Sequence, residues 1–159
     1  VKNIIPHVNR IRGTVWFLAW VALAVFNSAS ASALPRLIAL EAIHQIENPR
    51  DLKRPGPYGE LGAYQFRAKT WAQYSRRPFT DALDRRCSDG VAVQHYNWLC
   101  DGLVKNGLEA SVYNVALAWN AGLYATVRGR APRRSHDYAV RVGNIAADLH
   151  ERSQAIASR

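Results

Sequence analysis

The segment Ser111–Ala121, SVYNVALAWNA, is apolar on nearly every side of a helical wheel. A helix without a polar face cannot lie on a surface; other elements must cover it all round. The rest of the chain supplies covers of the right kind. In Leu37–Glu47, Ile38, Ala39, Ala42, Ile43 and Ile46 fall on one face and Glu41, His44 and Gln45 on the other, the period of a helix packed on a core. Val91–Val104 places Val91, His95, Trp98 and Leu99 together, and Asn106-Gly107 ends it. Tyr138–Leu149 turns Val142, Ile145 and Leu149 inward. Shorter helices are predicted for Arg67–Tyr74, carrying Trp71 and broken at Arg76-Arg77-Pro78, and from Asp81, capped by Thr80 and interrupted at Ser88-Asp89-Gly90. Pro49 stops the first helix at Glu47, and Pro, Gly and charge make 48–58 a loop. Arg128–Ser135 reads as a basic loop around Pro132, either solvated or, over Arg128–Arg134, a contact with an anionic wall polymer or lipid. No hairpin signal stands out, so the expected fold class is all-α, one domain of about six helices with a cleft.

The 159 residues suit one compact domain, and a hydrophobic fraction of 48% supplies a core. Residues 1–33 read as a separate segment. Lys2, Arg10 and Arg12 precede the apolar run Val15–Phe26, and Ala31 and Ala33 satisfy a small-residue cleavage pattern. The run is shorter than the ~20 residues that span a bilayer comfortably. The expectation is a signal peptide, with an uncleaved anchor as the alternative, and an exported protein of the periplasm or envelope. The domain would then cover 34–150, with 151–159 a fraying tail. Export makes a Cys87–Cys100 disulfide reasonable, two buried free thiols being the other reading. The formal net charge is +9, and removing 1–33 leaves 18 basic against 12 acidic residues. That suits any polyanion, including an acidic wall or lipid, and selects none. Nucleic acid fits poorly, because the basic residues are scattered and no recognition-helix pattern is present.

Glu47 sits at the edge of the apolar face, beside Leu40, Ile43 and Ile46. Lost hydration raises the pKa of such a carboxyl, as a general acid for glycosidic cleavage requires. The plainer reading is a helix-end glutamate in water or paired with Arg50 or Lys53. Gly59 and Gly62 in GELGAYQF permit a tight backbone that presents Gln65, although a simple connecting turn would look the same. The same turn lacks the Gly-Lys-Ser/Thr of a phosphate loop. In Trp119-Asn120-Ala121-Gly122, Asn120 is either a helix cap or an amide projecting into a cleft.

Taken in order, Glu47-Asn48-Pro49, Gly59-x-x-Gly62-x-x-Gln65, Trp119-Asn120-Ala121-Gly122 and Tyr138-x-x-x-Val142 resemble the motifs of the soluble lytic transglycosylase domain and its goose-lysozyme-like relatives, over about residues 37–145. The resemblance implies a lysozyme-like helical fold and cleavage of the MurNAc–GlcNAc β-1,4 bond of peptidoglycan glycan strands, without metal or cofactor, by a monomer. It implies Glu47 as the single acid/base, Gln65, Asn120 and Tyr138 as cleft residues, Tyr64 and Trp119 as lining, and a 1,6-anhydro product. Three positions depart from the family pattern. Asn48 replaces the usual Ser, Ala63-Tyr64 replaces Leu-Met, and Trp119 replaces Tyr. A second carboxylate across the cleft, with Asp51 and Glu60 the nearest candidates, would instead give a hydrolytic muramidase. A peptidoglycan-binding envelope protein without turnover is the remaining reading. Glu41, on the polar face with His44, is assigned to solvent.

Overall fold

In the computed structural model, residues 35–158 are described. They are mostly helical, and among them no sheet forms. The first helix, α1, covers 35–47. It is followed by α2 (Ala68–Tyr74), a short 3-10 turn η1 (Phe79–Leu83), α3 (Arg85–Lys105), α4 (Val112–Ala121), α5 (Leu123–Val127) and α6 (Arg133–Ala157). The segment 1–33 lies outside the described residues. No helix among the described residues is long and apolar enough to cross a membrane.

The all-apolar segment is α4, capped by Ser111, whose side chain accepts from the Asn114 amide. Val115, Ala116, Leu117 and Ala118 are buried, and α4 packs on α6, α5 and α3. From α1, Ala39, Leu40, Ala42 and Ile43 join the same core, with Leu99 and Leu103 of α3 and Val142 of α6. Each such large aliphatic side chain contributes about 1.5–3 kcal/mol by leaving water. Trp71 of α2 is enclosed and spends its indole N–H on the Arg77 carbonyl at 3.0 Å, so the break after α2 also satisfies its one polar atom.

Among the described residues the glycine turn carries an isolated β-bridge. Leu61 and Phe66 exchange two hydrogen bonds of 2.9 and 3.0 Å as an isolated antiparallel bridge. Gly62 has φ +79°, and a Cβ there would stand 1.8 Å from the Ala82 carbonyl oxygen. Only glycine lets this turn rest on η1. Asn48 ties the end of α1 to the same turn, donating to the Gly62 and Leu52 carbonyls at 3.2 and 3.1 Å and accepting from the Leu52 amide at 2.9 Å. Asn48 is therefore a structural clamp that holds the loop and the glycine turn against the helix end.

Several expectations need correction. Ser88-Asp89-Gly90 does not interrupt a helix. Instead α3 starts at Arg85, where Asp84 caps it by accepting from the Cys87 amide at 2.9 Å, and runs unbroken through the glycine. One helical glycine costs only ~1 kcal/mol, which the packing of Ser88, Val91 and Ala92 outweighs. The helix expected from Asp81 is the 3-10 turn η1. Cys87 and Cys100 are free. Thirteen residues apart on α3, they stand about 20 Å apart along the axis, far beyond disulfide reach. Trp98 is exposed, stacked on His95. Within the basic loop expected at Arg128–Ser135, α6 already begins at Arg133, and it reaches Ala157, so 151–157 continue a helix where a frayed tail was expected. An i,i+4 pair, Arg152–Asp148 at 2.6 Å, lies on that extension.

His44 and Glu41 also differ from expectation. His44 is buried, 3.1 Å from Asp51 and 3.4 Å from Glu41. Arg85 reaches in from α3 to Glu41, Asp51 and Asp89 at 3.4, 3.7 and 2.8 Å and lies over the Tyr64 ring. This charged knot fastens the 48–53 loop to α1 and α3. It accounts for Glu41 and Asp51, neither of which is simply solvated.

Candidate active site

Glu47 is the last residue of α1, and the geometry follows from how that helix ends. The turns before it are anchored by Ala42 and Ile43, and Asn48 directly after it is locked to the glycine turn. The carboxyl is thereby held in a partly buried position where no Arg50 or Lys53 partner reaches it among the described residues. Its hydrogen-bond partner comes from the far end of the chain. Tyr138 of α6, itself buried, donates its hydroxyl to Glu47 Oε1 at 2.8 Å. Burial raises the Glu47 pKa above the ordinary carboxylate value, with the negative charge of Glu60 adding to it. The Tyr138 hydroxyl and the more distant Arg141 pull the other way without reversing the result. Burial, together with that carboxylate, pushes the Tyr138 phenol well up, so it stays a donor.

A cavity of about 580 Å³ opens beside Glu47. Its lining includes Glu60, Gln65 and Arg67, the aromatic residues Tyr64, Phe66, His95 and Trp119, and Asn120, Gly122 and Arg134. A second cavity of about 410 Å³, lined by Asn48, Leu52 and Arg54 among others, shares Glu47, Pro57 and Gln65 with the first. The acid thus lies where two recesses adjoin.

Of the site residues expected from the sequence, Glu47, Tyr64, Gln65, Trp119 and Asn120 line this region, and Tyr138 touches Glu47. Gln65 has φ +47° and donates from Nε2 to the Gly62 carbonyl at 3.0 Å, which leaves its Oε1 as an acceptor. A Cβ on Gly56 would sit 2.5 Å from that Oε1 and 2.8 Å from Glu60 Oε2, so the bare backbone at Gly56 makes room for both groups. Asn120 is exposed at the end of α4. Its Oδ1 accepts from the Ser135 hydroxyl at 2.7 Å, leaving Nδ2 as a donor. Trp119 is half-buried against Tyr64, Phe66 and His95, with ring centroids 6.1, 5.8 and 4.8 Å away. Tyr64 contributes an aromatic surface only. Its hydroxyl is turned to Asp89 at 2.7 Å, and burial and that carboxylate hold its pKa high.

Several residues join the site that sequence reasoning had not placed there, Phe66 and Arg67 among them. His95, read as a core position, lines the cavity; burial lowers its pKa to about 4, so the ring is neutral over the ordinary pH range, and the Tyr74 hydroxyl lies 3.0 Å from Nδ1. Ser135 is fully buried and fixes Asn120. Arg134 lines the cavity from the first turn of α6. Thr70 also lines the cavity. Glu60, one of the two candidate second carboxylates, is in the cavity, whereas Asp51 is tied to His44 and Arg85. Against a burial penalty, the Tyr58 amide at 2.9 Å and Arg67 at 3.4 Å hold the Glu60 pKa below the usual value. The site therefore holds two carboxyl groups whose surroundings push them apart: Glu47 towards the acid form and Glu60 towards the anion.

Comparison with protein-family models, with curated proteins and with solved structures found no match.

Proposed function

We propose that the chain is a peptidoglycan lytic transglycosylase with a lysozyme-like fold, exported to the envelope, in which Glu47 is the general acid/base for cleavage of the MurNAc–GlcNAc β-1,4 bond. The observation that carries this reading is a desolvated carboxyl, oriented by the Tyr138 hydroxyl at 2.8 Å and opening onto two adjoining recesses. Tyr138 engages Oε1, so the proton of the acid form resides on Oε2, free to be given to the leaving sugar oxygen. The Asn120 amide donor suits a sugar N-acetyl carbonyl, the Gln65 oxygen suits a hydroxyl, and Trp119 offers an apolar face for a ring. As the glycosidic C–O bond breaks, the substrate's own N-acetyl oxygen bonds to C1. Glu47, now a carboxylate, takes the proton of the C6 hydroxyl as that oxygen attacks C1 and displaces the N-acetyl oxygen. The 1,6-anhydro ring closes without water.

Glu60 favours a second reading, a hydrolytic muramidase of the same fold. A carboxylate kept ionised in the same cavity as the acid has the charge needed to activate a water molecule. Digestion of purified sacculi with mass spectrometry of the released muropeptides separates the two. Anhydro ends that vanish in Glu47→Gln support the transglycosylase. Reducing ends that vanish in the same variant support the muramidase. Sacculus binding without released products, equal in wild type and Glu47→Gln, overturns both in favour of a binding protein.

A further inference from the structure

We propose that Arg134 is a carboxylate-recognising position at one end of the cleft, taking an anionic group carried by the glycan beside the bond that meets Glu47; this rests on the glycan-cleaving reading. Arg134 lines the same cavity as Glu47 and Asn120. Its backbone is fixed there, because the next residue, Ser135, is fully buried and bonded to Asn120 Oδ1 at 2.7 Å. Arg134 is exposed and, like Arg128, Arg130 and Arg133, has neither an ion pair nor a side-chain hydrogen bond among the described residues; of these four it alone lines the cavity. The nearest acid in sequence, Asp137 at i+3 on α6, makes no ion pair with Arg134 among the described residues, and between Glu109 and Asp137 the chain carries Arg128, Arg130, Arg133 and Arg134 and no acid. Nor does the position help the helix, since a cation in the first turn opposes the helix dipole.

Across the cavity the charges compensate one another, Glu60 against Arg67. Arg134 is left without a compensating charge in the lining of the same cavity. A planar fork of donors is matched by a carboxylate, which it can bind through two parallel hydrogen bonds. Peptidoglycan offers that group from two sources: the stem peptide on intact strands, and the lactyl arm of muramic acid once the peptide is removed.

The test is calorimetric binding by the full chain carrying Glu47→Gln, so that strands are not cut. Three ligands are compared: peptide-bearing glycan strands, amidase-stripped strands with free lactyl carboxylates, and neutral chitooligosaccharides. Adding Arg134→Gln is expected to weaken binding of at least one carboxylate-bearing ligand about tenfold and to leave the chitooligosaccharide unchanged. Adding Arg130→Gln instead leaves all three unchanged. A loss confined to peptide-bearing strands identifies the stem peptide; a loss confined to stripped strands identifies the lactyl arm. Equal weakening of all three ligands by Arg134→Gln, or no weakening of any, overturns the proposal while the glycan-cleaving reading stands. Failure to bind any of the three before Arg134 is changed overturns that reading and the proposal together.

Discussion

Tyr138→Phe removes one atom and tests how the site is assembled. The Tyr138 hydroxyl donates to Glu47 Oε1 at 2.8 Å, in a pocket where burial already disfavours the carboxylate. A hydrogen bond to a charged group is worth about 1.5–3 kcal/mol and one to a neutral carboxyl about 1 kcal/mol, so the bond favours the ionised form by about 1 kcal/mol. Deleting the hydroxyl takes that away, and Glu47 binds its proton about fivefold more tightly. The sign follows: a folded-state pKa already raised goes higher still, and the alkaline limb of the pH–rate profile, where the acid loses its proton, moves upwards. The rate at the optimum falls about tenfold, because the carboxyl is no longer oriented towards the leaving oxygen. Sacculus solubilisation followed across pH, with the melting curve of the same sample as a check on folding, measures both effects. An alkaline limb that stays in place or moves downwards in a folded Tyr138→Phe protein would refute the reasoning.

Two glycines and the acid itself give further outcomes. Gly62→Ala puts a Cβ 1.8 Å from the Ala82 oxygen at φ +79° and is expected to cost about 3 kcal/mol or more in urea unfolding, whereas Gly90→Ala, exposed in mid-α3 with nothing within 4 Å, is expected to gain about 0.5–1 kcal/mol; comparable values for the two contradict the packing of the turn on η1. Glu47→Gln is expected to be more stable than wild type at pH 7 by about 0.5–2 kcal/mol and equal to it at pH 4. The folded-state pKa is raised, so stability is complete below the unfolded value of 4.5 and is lost as pH rises through the folded one. Melting temperatures at the two pH values decide it, and a variant less stable than wild type at pH 7 runs against the desolvation of Glu47.

The helical period of Leu37–Glu47 and Ser111–Ala121 was legible because the apolar residues of each lie against one core. The acid was legible because Pro49 ends its helix at that residue. The run of α3 through Ser88-Asp89-Gly90 was not legible. The breaker signals are real locally, but Asp84 supplies a better cap upstream, and burial of Ser88 against the glycine turn is a tertiary effect. His44 was misread for a related reason. On an isolated wheel it is a polar-face residue, and only the arrival of Arg85 and Asp51 makes a buried place for it. In the site, Glu47, Gln65, Trp119 and Asn120 could be named from local motifs, and Tyr138 from its place in a resemblance. Ser135 and Arg134 carry no motif. Their roles depend on α6 meeting the end of α4, and a basic stretch around Pro132 reads as a loop until that helix is seen to start at Arg133.

Burial beside the cavity makes the Glu47 carboxyl hold its proton to higher pH than an exposed glutamate. Titration of the Glu47 side-chain carboxyl carbon by ¹³C NMR in the intact protein measures this without reference to any substrate. The expected midpoint lies above the ordinary 4.5, coincides with the alkaline limb of sacculus cleavage and rises further in Tyr138→Phe. A midpoint at or below 4.5 would contradict it.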